Sequence, residues 1–332
     1  MQLSFSFVIP VYNRPEETKE LLDSFRQQTF TGLYEIIIVE DGSTLSSETI
    51  VQTFSDLPVT YLSKSNSGPG PSRNYGMQRA RGNYFIILDS DCILPPEYLQ
   101  KVANSLSQNY TDFFGGPDAA HESFSTVQKA INYSMTSFLT TGGIRGRAKS
   151  VDNFQPRSFN MGISKIAFDA TAGFGKIHPG EDPDLTMRLW DLGFKSKLIP
   201  EAYVYHKRRI SWKKFYQQVR KFGLVRPILT KWHPKSGKIT YWFPSLFVLF
   251  SLLSVLILFF GNYLPILAVF IYFLVIFIHA TFSTKNIQIG VYSVVATIIQ
   301  FSGYGFAFLE STFHIQWQKK LPQKQFPHLF FK

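Results

Sequence analysis

Cysteine is nearly absent from this sequence of 332 residues, which contains only Cys92. A single cysteine excludes an intrachain disulfide and fits a reducing compartment. We interpret Cys92 as a small packing residue, because no general base can be assigned to activate it as a nucleophile. We also expect no signal peptide, since the first apolar run, Phe5–Val11, is too short for one. The N-terminal part of the chain is therefore expected to stay on the cytoplasmic side of a membrane.

Charged residues are nearly absent from residues 239–309, where Lys285 stands alone. Three apolar stretches in this region, 241–260, 263–282 and 289–309, each reach the roughly 20 residues that a helix needs to cross a bilayer. We therefore predict an integral membrane protein with two or three hydrophobic spans. The lack of ionisable residues argues against a transporter, a channel or a polymer-conducting path through these spans.

Positive charge is concentrated just before the first apolar stretch. The net charge is +11, and residues 195–238 alone contain 13 basic residues against one acidic residue, Glu201. A basic stripe next to a span agrees with the positive-inside rule and with attraction to anionic lipids. We therefore expect membrane lipids as partners, and no nucleic acid, because no nucleic-acid-binding motif accompanies the stripe.

The arrangement of two segments near the membrane stays open. Three full crossings would place the basic tail, 311–332, outside, against the positive-inside rule. We therefore expect stretch 289–309 to be re-entrant or interfacial, because Gly303-Tyr304-Gly305 interrupts it. Upstream, segment 211–226 has apolar residues at helical spacing among basic ones. That helix lies in the membrane interface, packs against its own domain, or does both.

Short apolar runs alternate with helical patterns over the first 210 residues. Strands are expected at 5–11, 34–39, 59–62, 84–88 and 112–115, and helices at 15–28, 73–80, 95–108, 124–139 and 183–192. Strands that alternate with helices predict an α/β fold with a mostly parallel sheet. Glycine-, proline- or serine-rich segments are expected to be loops, at 65–72, 140–153 and 173–179.

Two carboxylates follow the strand expected at 84–88, in the motif Asp89-Ser90-Asp91. In open α/β sheets, ligands bind at the carboxyl edge of the strands, where this motif would lie. Two acids one residue apart can present oxygens to a hard divalent cation, Mn2+ or Mg2+. Such a cation would neutralise a bound diphosphate. Taken alone, the motif also fits two solvated turn aspartates.

Further motifs follow in an order that resembles the family 2 glycosyltransferases with a GT-A fold, in their membrane-anchored form. They are Ile9-Pro10-Val11-Tyr12-Asn13-Arg14, Glu40-Asp41-Gly42-Ser43, Asn66-Ser67-Gly68 with Ser72-Arg73-Asn74-Tyr75-Gly76, Asp89-Ser90-Asp91, Gly180-Glu181-Asp182, His206 and Gln217-Gln218-Val219-Arg220-Lys221. The resemblance covers nearly the whole chain. Its catalytic motifs, up to about His206, are specific in combination, whereas the membrane part resembles the family only in kind.

The resemblance implies that a nucleotide-sugar donor, linked to UDP or GDP, binds across these motifs. Asp41 would accept a hydrogen bond from the nucleobase, and Arg73 would approach phosphate as a fixed guanidinium fork. Asp89 would face the ribose or the sugar, and Asp91 would bind the metal. The implied donor-binding residues are Pro10, Tyr12, Asn13, Arg14, Glu40, Asp41, Gly68, Arg73, Asn74 and Asp89, and the implied metal ligands are Asp91, Asp89 and His206. The alternative is that His206 is an ordinary surface histidine that binds no metal.

The resemblance also implies catalytic roles for Asp182 and its neighbour Glu181. Asp182 would take the proton from an acceptor hydroxyl while the nucleoside diphosphate leaves from the opposite face. One carboxylate base and a metal-stabilised leaving group give inversion at the anomeric carbon. The competing interpretation treats both acids as an acidic helix start that suits the helix dipole.

One departure from the family concerns the motif Q-x-x-R-W of its processive polysaccharide synthases. Gln217 and Arg220 fit this motif, but Lys221 stands where tryptophan is expected. We expect these residues at the acceptor or membrane interface, and a lipid-linked glycan as the acceptor. A processive synthase, a transferase acting on polyprenyl phosphate and a non-catalytic nucleotide-binding scaffold remain alternatives. The expected organisation is a catalytic domain at 1–210, an interface helix and linker at 211–238, a membrane region at 239–310 and a basic tail at 311–332.

Overall fold

The computed structural model describes residues 2–119, 124–141, 154–206 and 211–331. Most of the loop expected at 140–153, and the basic residues that follow His206, lie outside these ranges. The described residues form two compact units. The first contains 2–119, 154–206 and 330–331, and the second contains 124–141 and 211–329. Each unit is therefore built from separate stretches of the chain, whereas the sequence predicts a single boundary near residue 210.

The strands and helices of both units are numbered here in chain order. The strands are β1 Phe5–Val11, β2 Tyr34–Asp41, β3 Val59–Lys64, β4 Tyr84–Leu88, β5 Cys92–Ile93, β6 Phe113–Gly115, β7 Asp118–Ala119, β8 Asn160–Ser164, β9 Ser196–Leu198 and β10 Val204–His206. The helices are α1 Pro15–Arg26, α2 Glu48–Gln52, α3 Pro69–Met77, α4 Tyr98–Gln108, α5 Thr126–Thr136, α6 Phe138–Thr141, α7 Lys165–Thr171, α8 Glu181–Asp191, α9 Trp212–Trp232, α10 Phe243–Leu258, α11 Leu264–Thr284, α12 Ile287–Ser311 and α13 Pro322–Gln325.

The first unit is built on a seven-stranded sheet in the order β3-β2-β1-β4-β8-β6-β9. The four strands from β3 to β4 are parallel, and β8 runs antiparallel to both of its neighbours. The predicted α/β fold with a mostly parallel sheet is therefore confirmed. A second sheet joins β5, β10 and β7. It pairs His206 with Cys92, which brings the end of β10 beside the residues that follow β4.

Both faces of the main sheet are covered, and its central strands β1 and β4 are apolar except at Ser6. Phe5, Phe7 and Ile9 point to one hydrophobic cluster, while Val8 on the same strand points to another. This alternation follows from the two-residue period of a strand. Burial on both faces explains why β1 and β4 are largely apolar runs that could be recognised without the structure.

Helix α3 begins at Pro69, earlier than the start expected near Arg73. Proline fits the first turn of a helix because its φ angle is already helical and its missing N–H has no intrahelical partner there. The segment Pro69-Gly70-Pro71 therefore forms the first turn of α3 and does not belong to the loop expected at 65–72. Pro95, the first residue of the region expected to be helical at 95–108, does not lie in the first turn of a helix, since α4 begins only at Tyr98.

The second unit contains three helices long and apolar enough to cross a membrane: Ile239–Leu258, Leu264–Thr284 and Ile287–Trp317. Their apolar windows differ in how much protein covers them, with 11%, 17% and 44% of residues buried, respectively. The third helix is covered because it packs along the basic helix α9. Arg220 of α9 pairs with Glu310 at 2.9 Å, and Ser311 donates to the carbonyl of Leu224 at 2.6 Å.

The packing of this unit bears on two expectations, the break in α12 and the surroundings of α9. The segment Gly303-Tyr304-Gly305 does not interrupt α12, which is helical through it. A Cβ at Gly303 would meet Val219, so this glycine allows α9 to approach closely. On α9, Phe215 and Val219 are buried in a cluster with Ile131, Met135 and Ala296. The apolar face of this helix therefore packs against its own unit.

Candidate active site

The polar motifs of the first unit meet at one edge of the main sheet. Parallel pairing aligns the ends of β1, β2 and β4. Arg14 lies three residues after β1, Asp41 is the last residue of β2, and Asp89 directly follows β4. Polar loops collect at the carboxyl edge of a parallel sheet because each strand ends there before its crossover. The sequence motifs that resemble a donor site are thus neighbours in space.

Asp41 is held by the loop that begins α3. Its carboxylate accepts hydrogen bonds from the amides of Ser67 and Gly68 at 2.9 and 2.8 Å, and it forms an ion pair with Lys64. Gly68 has a φ angle of 90°, which favours glycine at this turn. Asp41 is 3% exposed, so its charge is compensated by these donors. Lys64 was not predicted from the sequence, although the pairing of β2 with β3 sets it opposite Asp41.

Glu40 and Asn13 hold the loop after β2 rather than facing the open edge. Glu40 is 2% exposed and accepts from the Ser47 amide at 2.8 Å, and also from the hydroxyls of Ser43 and Tyr61. The side chain of Asn13 accepts from the amides of Thr44 and Leu45 at 2.8 and 2.9 Å. These contacts fix the turn that contains Pro10 and Tyr12, whose ring is 51% exposed.

Arg73 links the two parts of the site. It is 3% exposed, and its guanidinium lies 2.8 Å from Asp89 and 3.3 Å from Glu181. Burial alone would lower the pKa of Arg73, but the carboxylates of Asp89, Glu181 and Asp182 raise it. Asn74, the next residue, bonds both the amide and the carbonyl of Phe174 at 2.8 and 2.9 Å. Helix α3 therefore fixes the segment that leads to α8.

Asp91 and His206 form a compact pair of potential metal ligands. His206 Nε2 lies 3.0 Å from Asp91 Oδ1, and Arg14 forms an ion pair with the other carboxylate oxygen. Burial acts to raise the pKa of Asp91, but His206 and Arg14 outweigh it and lower the pKa to about 2. The expected closeness of Asp91 and His206 is present, and Phe159 stacks on the imidazole with a centroid distance of 4.9 Å.

Cys92 lies in the same cluster, because one ligand atom from each of Asp91, Cys92 and His206 falls within 4.8 Å of the others. Burial raises the pKa of its thiol well above the usual value, and the thiol donates to the carbonyl of Phe159. A protonated thiol is a poor metal ligand. The carboxylate and imidazole donors fit a divalent cation such as Mn2+, while Cys92 packs beside them.

Glu181 and Asp182 begin α8 but have different surroundings. Glu181 is 5% exposed, and it pairs with His178 at 2.9 Å in addition to Arg73. These cations lower the pKa of Glu181 despite its burial. Burial and the charge of Glu181 raise the pKa of Asp182 to about 6, although Arg73 and hydrogen bonds from Ser158 partly oppose the shift. A carboxyl with a pKa in this range can accept a proton near neutral pH.

His178 and Ser158 were not singled out in the sequence. His178 stands three residues before Glu181, and an acidic helix start preceded by histidine is a weak signal. Ser158 is far from Asp182 along the chain, so only the fold reveals their contact. The predicted interface residues Gln217, Arg220 and Lys221 lie on α9 in the second unit.

Comparisons with known proteins agree with this arrangement. Residues 6–168 match the family model described as glycosyl transferase family 2. An uncharacterized glycosyltransferase of Rickettsia typhi is 37% identical over 103 residues, which is 31% of this chain and 32% of that protein. The poly(ribitol-phosphate) beta-N-acetylglucosaminyltransferase TarS of Staphylococcus aureus is 31% identical over 114 residues, 33% of this chain and 20% of TarS. The chain thus spans a third or less of the length of these two relatives.

One solved structure resembles most of the chain. It is the mannosyltransferase PcManGT from Pyrobaculum calidifontis in complex with GDP-Man and Mn2+. The match has a TM-score of 0.60 at 13% sequence identity, and it covers 91% of this chain and 88% of the mannosyltransferase. At this identity the likeness concerns the fold.

Proposed function

We propose, from the membership of residues 6–168 in glycosyl transferase family 2, that this chain transfers a sugar from a nucleoside-diphosphate sugar to a hydroxyl group at a membrane surface. The observation that carries the proposal is the position of Arg73 between Asp89 and Glu181. This single guanidinium joins the edge expected to hold the diphosphate to the helix start expected to hold the base.

Asp182 is the proposed general base. Its raised pKa and its position next to Glu181 suit a carboxylate that accepts a proton from the acceptor hydroxyl near neutral pH. The acceptor oxygen then forms a bond to the anomeric carbon as the bond from that carbon to the diphosphate oxygen breaks. A single displacement of this kind inverts the anomeric configuration.

Arg14, Arg73 and Lys64 are the proposed cations of the donor site. Arg73 is rigidly held and suits the diphosphate, because a guanidinium fork binds phosphate oxygens in pairs. Asp41 is proposed to accept a hydrogen bond from the nucleobase, in addition to those it accepts from the amides of Ser67 and Gly68. Asp91 and His206 would hold Mn2+ or Mg2+, which when bound neutralises charge on the leaving diphosphate.

We further propose that α10 and α11 cross the membrane as a pair and that the first unit lies on the cytoplasmic side. The amide of Phe331 donates to the carbonyl of Lys176 at 3.0 Å, so the chain beyond α12 returns to the first unit. An even number of membrane crossings would leave Phe331 on the same side of the membrane as Lys176, as this contact requires. The pairing of α12 with the basic helix α9 supports an interfacial position for α12, since several lysines and arginines of α9 would otherwise enter hydrocarbon.

The proposed acceptor is a lipid-linked glycan, with polyprenyl phosphate as the alternative within the same reaction class. Transfer by detergent-purified protein to each acceptor, with UDP- and GDP-sugars and with or without Mn2+, tests the proposal. Asp182→Asn should abolish transfer but retain nucleotide binding, whereas Asp169→Asn, an exposed acid of the same unit, should change neither. If Asp182→Asn transfers sugar at the wild-type rate, the assigned base is wrong. If no nucleotide binds to the wild type, the transferase proposal itself fails.

A further inference from the structure

The last described residues of the chain lie beside the candidate active site. Phe330 forms an antiparallel bridge with Ile177, and the amide of Phe331 donates to the Lys176 carbonyl at 3.0 Å. These residues attach to the segment just before Glu181. The attachment uses main-chain groups, so it fixes where the side chain of Phe331 projects.

The ring of Phe331 contacts both sides of the site. Its centroid lies 5.6 Å from that of His178, whose Nδ1 is 2.9 Å from Glu181. On the other side the ring lies so close to Gly68 that a Cβ at this position would overlap it. The amide of Gly68 in turn donates to Asp41 at 2.8 Å. One aromatic ring therefore lies between Gly68, which bonds the proposed nucleobase carboxylate, and His178, which pairs with Glu181.

We propose that Phe331 is a donor-binding residue that stacks on the nucleobase of the nucleotide sugar. This inference rests on the proposed function, because it places the base at Asp41. The ring is only partly buried, so it offers apolar surface next to a carboxylate that can bind the polar edge of a base. Stacking on an aromatic ring suits any nucleobase, since every base has a π face. Asp41 would then select the base while Phe331 contributes affinity.

The contacts of Phe331 indicate that its ring lines the site and does not block it. Its ring meets the backbone of Gly68 and the imidazole of His178. Meanwhile Asp41, Arg73 and Asp91 keep polar partners of their own in the same structure. A ring that covered these charged groups would have to leave before the donor could bind, whereas a ring beside them can remain in place and contact the base.

Titration of the full-length, detergent-purified protein with UDP and GDP tests the inference. Phe331→Ala should weaken binding of the preferred nucleotide by about 5- to 20-fold, as expected for the loss of one stacking contact. Phe331→Trp should stay within about threefold of the wild type because it keeps a flat aromatic face. His328→Ala changes an exposed residue of the same segment and serves as the matched control. In a transfer assay, Phe331→Ala should raise the donor KM with kcat within about twofold.

Three results would overturn the inference. Unchanged nucleotide binding in Phe331→Ala would show that the ring does not contact the base, and tighter binding would show that it blocks the site. Equal losses in Phe331→Ala and Phe331→Trp would indicate a structural role, which unfolding temperatures of both variants would reveal. These results leave the transferase proposal intact as long as the wild type binds nucleotide and turns donor over. Failure of the wild type to bind any nucleotide would remove both proposals.

Discussion

Substitution of Asp182 by asparagine should separate activity from stability in this protein. The carboxylate is unfavourably placed when ionised, because its Oδ1 atom is buried without a hydrogen-bond partner and Glu181 lies beside it. The pKa rises from 3.8 to about 6. At about 1.4 kcal/mol for each pKa unit, ionisation of Asp182 at pH 7 opposes folding by roughly 3 kcal/mol as an upper limit.

The sign of this contribution follows from the direction of the shift. A carboxyl with a raised pKa stabilises the folded state fully only below the pKa of the unfolded chain, and this stabilisation is lost as the pH rises through about 6. Asparagine has almost the same shape and carries no charge. We therefore expect Asp182→Asn to be more stable than the wild type at pH 7.5 by about 1–3 kcal/mol, and to lose this advantage at pH 4.

Two assays on the same preparations check the prediction. Unfolding of wild type and variant is followed between pH 4 and pH 8, and transfer activity is measured over the same range. Wild-type activity should fall as the pH drops below about 6, because Asp182 becomes protonated. The variant should lose about 10²- to 10⁴-fold in kcat, the usual contribution of a general base. A variant that is less stable than the wild type at pH 7.5, or wild-type activity that is constant down to pH 4.5, would refute the reasoning.

Three further predictions concern the metal ligands, the donor site and the membrane region. His206→Ala should raise the Mn2+ concentration for half-maximal activity at least about tenfold, while His314→Ala, a histidine of the second unit, should not; equal Mn2+ curves would exclude His206 as a ligand. Lys64→Met should lower the free energy of unfolding by about 1–3 kcal/mol, measured by denaturant titration, because it leaves Asp41 buried without its cation; an unchanged midpoint would contradict this. A reporter fused after Lys332 should read as cytoplasmic, and an external signal would contradict the pair of crossings by α10 and α11.

The sequence was sufficient to predict β1 to β4, β6 and the order of the motifs, because these depend on local pattern, but it did not predict β8, which pairs with β4. β1 and β4 are largely apolar runs, and the acids at the ends of β2 and β4 mark the carboxyl edge of the sheet. The start of α3 was mispredicted because Pro69 was taken as a loop residue, while its position in the first helical turn depends on the chain around it. The glycines of α12 were mispredicted for a related reason, since Gly303 allows close helix packing rather than a break.

Contacts between distant segments could not be predicted from the sequence. Lys64 reaches Asp41 through the register of β2 and β3, whereas the approach of His206 to Asp91, through the pairing of β10 with β5, was expected only from the family resemblance. Both depend on strand order and register, which a single sequence does not specify. Phe331 is the extreme case, because it meets Gly68 from the opposite end of the chain.

The candidate site concentrates buried charges that would be a poor choice for stability alone. Arg73 and Glu181 are buried and form a network with the partly exposed Asp89, and replacing buried ion pairs with apolar residues is often neutral or stabilising in proteins. The network nevertheless has a consequence that an apolar core could not provide. The positive charge of Arg73 stabilises ionised Glu181, and the negative charge of Glu181 in turn raises the pKa of the neighbouring Asp182.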